Sequence, residues 1–313
     1  MRAIILNETG GVENFTIADI DRPSISKNEV LIQTKSIGVN PVDYKVRGNE
    51  DVLNMIYGEQ RPAILGWDVA GVVIEKGEDV SNFNIGDRVF GMVNFLGAGN
   101  AYAEYVSAPE AHLTLIPDGI SDEEAAATTL AALTALQVLQ NRINKNDKVL
   151  IHAGSGGVGH FAIQIAKSYG AHVIATSSTK NKDFIMSLGA DEHIDYRSVA
   201  FQDVLVDVDF VFDMFNGEVL LNSLKVVKNG GVVFSIPSPD FSQECLDLAK
   251  SKQVDLQFLM VQSSGEDMGT LSDLLAKGTI KPHISQTFSF DDMSLAHQHL
   301  ESGRTKGKIV VNI

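Results

Sequence analysis

Four glycines fall within six residues of HAGSGGVGH, and they are the chain's clearest candidates for holding a ligand. Gly154, Gly156 and Gly159 fit the spacing G-x-G-x-x-G, with Ser155, Gly157 and Val158 between them. In that spacing one glycine permits a tight turn, one lets the backbone approach a pyrophosphate, and one lets a helix pack closely on a strand. The flanking residues supply the elements this chemistry needs. KVLIHA before the glycines has the length and β-branched content of a buried strand. After them, Val158, Phe161, Ala162, Ile165, Ala166 and Tyr169 form the apolar stripe of a helix that Gly170 closes. A helix N-terminus facing the loop offers free N–H groups and a positive dipole end, so the expected ligand is a dinucleotide.

The next strand, AHVIATS, decides which dinucleotide. A site for NAD places Asp or Glu at its end to bind the ribose 2′-hydroxyl. Here Ser177, Ser178 and Lys180 stand there, with no acid before Asp183. Hydroxyls and an ammonium suit a 2′-phosphate, which a carboxylate would repel. NADPH is therefore expected over NADH.

The rest of the chain must position that loop and supply a second reactant site. With 313 residues it is long enough for two domains. A net charge of −15 argues against a nucleic-acid partner. No apolar run reaches the ~18 residues of a membrane span, and the first residues lack a signal-peptide pattern. The single cysteine, Cys245, suggests a reducing compartment, so cytoplasmic residence is expected. RAIIL, EVLIQTKSI, DVAGVVIEKG, GDRVFGM and AYAEYVSA read as short strands with no sustained helical period among them. GNEDVLNMIYGEQRP reads as a long irregular loop. DEEAAATTLAALTALQVL reads as one helix, after which strands and helices alternate as in a parallel sheet. The tail from TFSF carries a helix and a last strand. The expected fold is α/β: a β-rich lobe from 1–122 with 285–313, and a doubly wound parallel-sheet domain over 123–284.

ILGWDVAGVV, GEDVSNFNIGDRVFG, AYAEYV, LTALQVL, HAGSGGVGHFAIQIAK, SLGADEHIDY and GKIVV occur in this order over essentially the whole chain. Together they resemble the medium-chain dehydrogenase/reductase superfamily, and within it the zinc-free quinone oxidoreductase group. The resemblance implies a GroES-like catalytic lobe, a Rossmann NADP-binding domain and a homodimer. It also bears on metal. Zinc alcohol dehydrogenases of this superfamily carry a cysteine in G-x-C-x-x-D and a histidine in G-H-E, whereas Asn40 and Trp67 stand at those positions here. Neither an amide nor an indole is a credible zinc ligand, so no metal is expected.

By the same resemblance, NPVDYKVRG is the segment nearest the nicotinamide, with Asn40 and Asp43 at its polar positions. Many relatives have a tyrosine two residues after that aspartate; Lys45 stands there, beside Tyr44. The proton donor is left open between Tyr44, Lys45 and water. Tyr196 matches a family tyrosine near the adenosine phosphate, Thr129 and Thr134 fall on the nicotinamide side, and Lys308 of GKIVV belongs with the cofactor contacts. The implied activity is hydride transfer from NADPH to a quinone, enone or enal. Two alternatives remain: reduction of another activated alkene such as an enoyl thioester, for which a basic patch near Tyr57 to Arg61 would speak, and NADPH binding without turnover.

Overall fold

Three strand ends meet at one point in the N-terminal sheet, and the pairing register is what brings them there. In the computed structural model, which describes residues 1–313, the long strand Glu29–Val39 pairs antiparallel with both Asp68–Lys76 and Lys308–Asn312. Gly38 lies opposite Asp68, and Val39 opposite Ile309. Asn40, Asp68 and Lys308 are thereby neighbours although 28 and 268 residues separate the latter two from Asn40. The approach is close enough that a Cβ on Gly38 would lie 2.5 Å from the Ala126 carbonyl and 2.8 Å from an Asp68 carboxylate oxygen. Seven strands form this sheet, and Val30, Ile32, Val69, Val73, Val89, Val106 and Leu113 fill its core.

A helix Pro41–Arg47 starts directly from this point. Asn40 is its N-cap and Pro41 its first residue, a position where the missing N–H costs nothing. Where GNEDVLNMIYGEQRP reads as irregular, the structure has a second helix, Glu50–Tyr57. The Asn49 side chain accepts from the Val52 N–H, acids occupy the first turn, and Leu53 is buried beneath it. A side-chain cap and one buried anchor suffice for two turns, which a search for sustained apolar periodicity overlooks. DEEAAATTLAALTALQVL likewise forms two helices, Asp122–Ala127 and Leu130–Leu139. The hydroxyls of Thr128 and Thr129 bond the Glu124 and Ala126 carbonyls at 2.7 and 2.8 Å, competing with the backbone ladder at the break.

The second sheet has six parallel strands in the order Glu192–Asp195, His172–Ser177, Lys148–Ile151, Val208–Asp213, Val227–Ser235, Asp255–Phe258. This is the doubly wound order expected of a Rossmann domain, and it reverses between Lys148–Ile151 and Val208–Asp213. Leu150, Ile174, Val211, Leu220, Leu224 and Val233 pack one core of the sheet and its helices. The glycines follow the strand at the reversal, and the helix Gly157–Ser168 follows them, ending at Gly170 with φ +82°.

Two compact units result: residues 1–133 with 261–313, and residues 134–260. Residues 123–133 and 261–284, grouped with the dinucleotide lobe in the sequence reading, cluster with the first unit. Asp122–Ala127 packs on Glu29–Val39 and Asp68–Lys76, and the helix Gly265–Ala276 packs on Leu113–Leu115.

Candidate functional site

The glycine loop of the second unit is shaped by backbone alone. Ala153 holds φ +47°, and a Cβ at Gly159 would fall 2.3 Å from its carbonyl and 2.8 Å from the Gly154 Cα, so no side chain fits there. Gly156 caps the helix with no side chain, and the first ladder bond runs from the His160 N–H to the Gly156 carbonyl. The N–H groups of Gly157, Val158 and Gly159 precede that bond, in the orientation that receives a phosphate. The loop thus fits a dinucleotide pyrophosphate.

Ser155 Oγ accepts a 2.9 Å bond from Asn181, a residue that no spacing pattern marks, and this ties the loop to the end of the second strand. Ser177 and Ser178 are buried there. The Ser177 hydroxyl donates to the Ser178 carbonyl and lies 3.0 Å from His193 Nε2. Lys180 is exposed on the turn Thr179–Asn181. Tyr196 is 57% exposed, with the Arg197 guanidinium over its ring at 5.6 Å. Arg197 is a second cation that the sequence reading missed. The Asp195 carboxylate is held below its usual range by hydrogen bonds from Thr179 and from the Arg197 N–H.

His152, also missed, closes the strand before the glycines. Its Nε2 is 2.9 Å from Ser223 Oγ and its Nδ1 3.2 Å from Thr176 Oγ1. Because the Ser223 hydroxyl donates to the Val219 carbonyl, Nε2 carries the ring proton and Nδ1 accepts. Burial pushes this histidine down to about 3 and keeps it neutral.

In the first unit the structure gathers Asn40, Asp43, Thr129 and Lys308 around Asp68. Asn40 Nδ2 donates to Asp68 Oδ2 at 2.7 Å, and the Lys308 ammonium donates to Asn40 Oδ1 and to the Val39 carbonyl. Lys308 is 3.6 Å from Asp68, both side chains being buried. The Leu130 N–H, next to Thr129, donates to the other Asp68 oxygen. Burial raises Asp68 and lowers Lys308, and their attraction opposes both shifts. Asp43 completes the capping box by accepting from the Asn40 N–H at 2.7 Å. Burial, reinforced by Asp68, pushes it up to about 7 against the Asn40 N–H, the Tyr102 hydroxyl and Lys308. Tyr44 is half-buried and Lys45 exposed on the same helix. Thr134 is buried at the start of the second unit's range. Asp68, Tyr102 and His297 join the site through register and packing, not through sequence spacing.

This donor set does not fit zinc. Both polar atoms of the Asn40 amide are engaged, and the buried Trp67 indole N–H donates to the Gly97 carbonyl at 2.7 Å. No three His, Cys, Asp or Glu side chains are grouped as a metal ligand set anywhere in the chain. No helix is long and apolar enough to cross a membrane.

Residues 26–118 match the alcohol dehydrogenase GroES-like domain family, and residues 188–311 match the zinc-binding dehydrogenase family. A 2-methylene-furan-3-one reductase of Solanum lycopersicum is 33% identical over 328 aligned positions, covering 100% of this chain and 79% of that protein. The quinone oxidoreductase from Coxiella burnetii superposes with a TM-score of 0.93 at 35% identity, covering 100% of this chain and 99% of the other. The Escherichia coli quinone oxidoreductase, solved in complex with NADPH, superposes with a TM-score of 0.89 at 26% identity, with both chains fully covered.

Proposed function

The chain belongs to the medium-chain dehydrogenase/reductase superfamily, in its quinone oxidoreductase group, and as an oxidoreductase using a nicotinamide cofactor we propose that it reduces a quinone or an α,β-unsaturated carbonyl with NADPH and without a metal. The observation that carries this reading is the pair Asn40 and Trp67, whose polar atoms are already committed to Lys308, Asp68 and Gly97. No Lewis acid polarises the acceptor at these positions, so the acceptor must bring its own activation, as a conjugated carbonyl does by delocalising the incoming charge.

Bound NADPH supplies the hydride. Gly154, Ser155, Gly156, Gly157, Val158 and Gly159 would hold its pyrophosphate, Ser177, Ser178 and Lys180 would hold the 2′-phosphate with Arg197 as a further cation, and Tyr196 would lie near the adenosine phosphate. Asn40 and Asp43 position the reactants, Thr129 and Lys308 brace that cluster, and the half-buried Tyr44, Lys45 or water returns the proton. Arg61 pairs with Glu50 and bonds Asn54 and the Gly58 carbonyl, so the Tyr57 to Arg61 stretch offers no free basic patch for a phosphorylated carrier. This favours a quinone or enone over an enoyl thioester. The proposal extends to a cytoplasmic homodimer joined along Asp255–Phe258, where the six-stranded sheet ends, or along its neighbouring strand.

The test follows NADPH oxidation across quinones, enones, enals, enoyl thioesters and simple ketones. At least one quinone or enone is reduced, activity survives prolonged EDTA, and simple alcohols are not oxidised with NADP. One zinc per chain, lost together with activity, would overturn the reading, and tight NADPH binding with no turnover would make the protein a binder. Tyr44→Phe assigns the proton: a large fall in kcat marks the phenol as donor, and an unchanged kcat marks Lys45 or solvent.

A further inference from the structure

Between the helices Pro41–Arg47 and Met293–Glu301 runs a buried chain of hydrogen bonds whose every proton can be placed. It starts at Arg47, which is held on three sides. Its Nε donates to the Gly10 carbonyl at 3.1 Å, its Nη2 pairs with the Glu301 carboxylate, and its Nη1 lies 3.1 Å from His297 Nδ1. A guanidinium only donates, so Nδ1 must accept. Burial and the Arg47 charge together push His297 down to about 3, which keeps the ring neutral and puts its proton on Nε2. That nitrogen faces Tyr102 Oη at 2.9 Å, so the phenol accepts from it. The phenol's own proton then goes to its other partner, Asp43 Oδ2, at 2.8 Å. The Asn40 N–H already donates to the same oxygen, while Asp43 Oδ1 is buried with no partner. Each bond dictates the direction of the next.

We propose that His297 and Tyr102 are positioning residues for Asp43: anchored on Arg47, they hold Oδ2 as a double acceptor, leave Oδ1 as the one protonation site, and so set the pH at which this carboxyl changes charge. The other groups facing Asp43 are Asp68 and Lys308 from the two neighbouring strands, and Tyr57 from the helix Glu50–Tyr57, whose ionisation is suppressed by burial and further by Asp43. The consequence for the reaction rests on the proposed function, in which Asp43 lies beside the reactants. A neutral carboxyl tolerates negative charge developing on the hydride acceptor, and an ionised one opposes it. Turnover then falls as pH rises through the Asp43 titration. The relay stabilises the carboxylate, so weakening it moves that fall to higher pH.

The test reads the carboxyl directly, by pH-difference infrared spectroscopy of the full-length protein, with the Asp43 C=O band identified by its loss in Asp43→Asn. Tyr102→Phe removes one donor and moves the band's midpoint up by about one unit. His297→Glu offers a carboxylate that accepts from both Arg47 and Tyr102, draws the phenol's proton away from Asp43, and moves the midpoint up at least as far. His297→Gln presents an oxygen to Arg47 and an amide N–H to Tyr102, and leaves the midpoint near that of the parent protein. A purely structural role predicts no such order among the three. Midpoints that stay at the parent value in both Tyr102→Phe and His297→Glu overturn the relay. Under the proposal, the alkaline fall in kcat follows the same order. Midpoints that move while kcat keeps its pH profile retain the relay and overturn the placement of Asp43 beside the reactants.

Discussion

The glycine loop and the Asn40–Asp68–Lys308 cluster handle negative charge by opposite means. The loop uses backbone N–H groups at a helix end, with no side chain at its cap and no ionised group in its turn. With Asp43 the cluster buries two carboxyls and one ammonium, and every stabilising contact is made by a side chain or directed at one. A site made of backbone tolerates many changes of chemistry and almost none of volume. A site made of buried side chains is indifferent to surface charge and intolerant of losing one member.

Removing that member gives the largest expected effect. Lys308→Met leaves Asp68 buried without its counter-ion and lowers stability by about 3–5 kcal/mol, read from urea denaturation midpoints. Adding Asp68→Asn should recover much of the loss. If the double variant is as unstable as the single one, the ion pair is not what the cluster depends on.

The loop is probed through volume. Gly159→Val drives a branched side chain into the Ala153 carbonyl and should weaken NADPH at least about 100-fold, roughly 2.8 kcal/mol, in a fluorescence titration. Gly156→Ala, whose Cβ would stand 3.2 Å from that carbonyl, should cost far less. Equal losses would mean that the loop adjusts to volume and the contrast with the cluster is wrong.

Acid provides a comparison that spans both units, since each contains a buried histidine whose titration is pushed far down, His152 in the second and His297 in the first. Burial holds both at about 3 in the folded protein, below the 6.5 of an unperturbed histidine. The unfolded chain therefore takes up the proton first. The stability contribution is intact above about pH 6.5 and is lost, at roughly 1.4 kcal/mol per pH unit and per histidine, as pH falls toward 3. His152→Gln should show a shallower decline between pH 6.5 and 5 in the denaturation midpoint than the parent protein. An identical slope would show that this ring titrates in the fold.

The smallest effect belongs to the exposed end of the proposed dinucleotide site. Lys180→Ala should weaken NADPH at least about tenfold, 1.4 kcal/mol, and leave NADH nearly unchanged. Parallel losses for both cofactors in KM would remove Lys180 from the 2′-phosphate.

The loop could be read in advance because its strand, turn and helix are contiguous in the chain, so spacing alone carries the geometry. The order of strands and helices in the second unit was readable for the same reason. The cluster is different. Asn40, Asp43 and Lys308 came forward only through their places in family motifs, and Asp68, Tyr102 and His297 came forward in no site role. What unites these six is the pairing of Glu29–Val39 with two distant strands, the backbone bonds of Tyr102 to Ile4 and Leu65, and the packing of a C-terminal helix on Pro41–Arg47, none of which leaves a periodic trace. Local capping chemistry was the other blind spot. Asn49 starts a helix, and the Thr128 and Thr129 hydroxyls interrupt one, where composition indicated a loop and a continuous helix.

Trp67 has a practical consequence. It is the only tryptophan of the chain, fully buried, edge-on to Phe95 at 5.3 Å and belonging to the first unit. Its emission is thus a built-in optical gauge of that unit alone, whereas far-ultraviolet dichroism averages over the helices of both. Following one denaturation series with the two signals separates the melting of the first unit from that of the second without any label. Coincident curves would show the two lobes unfolding as one cooperative body, and displaced curves would give each lobe its own midpoint.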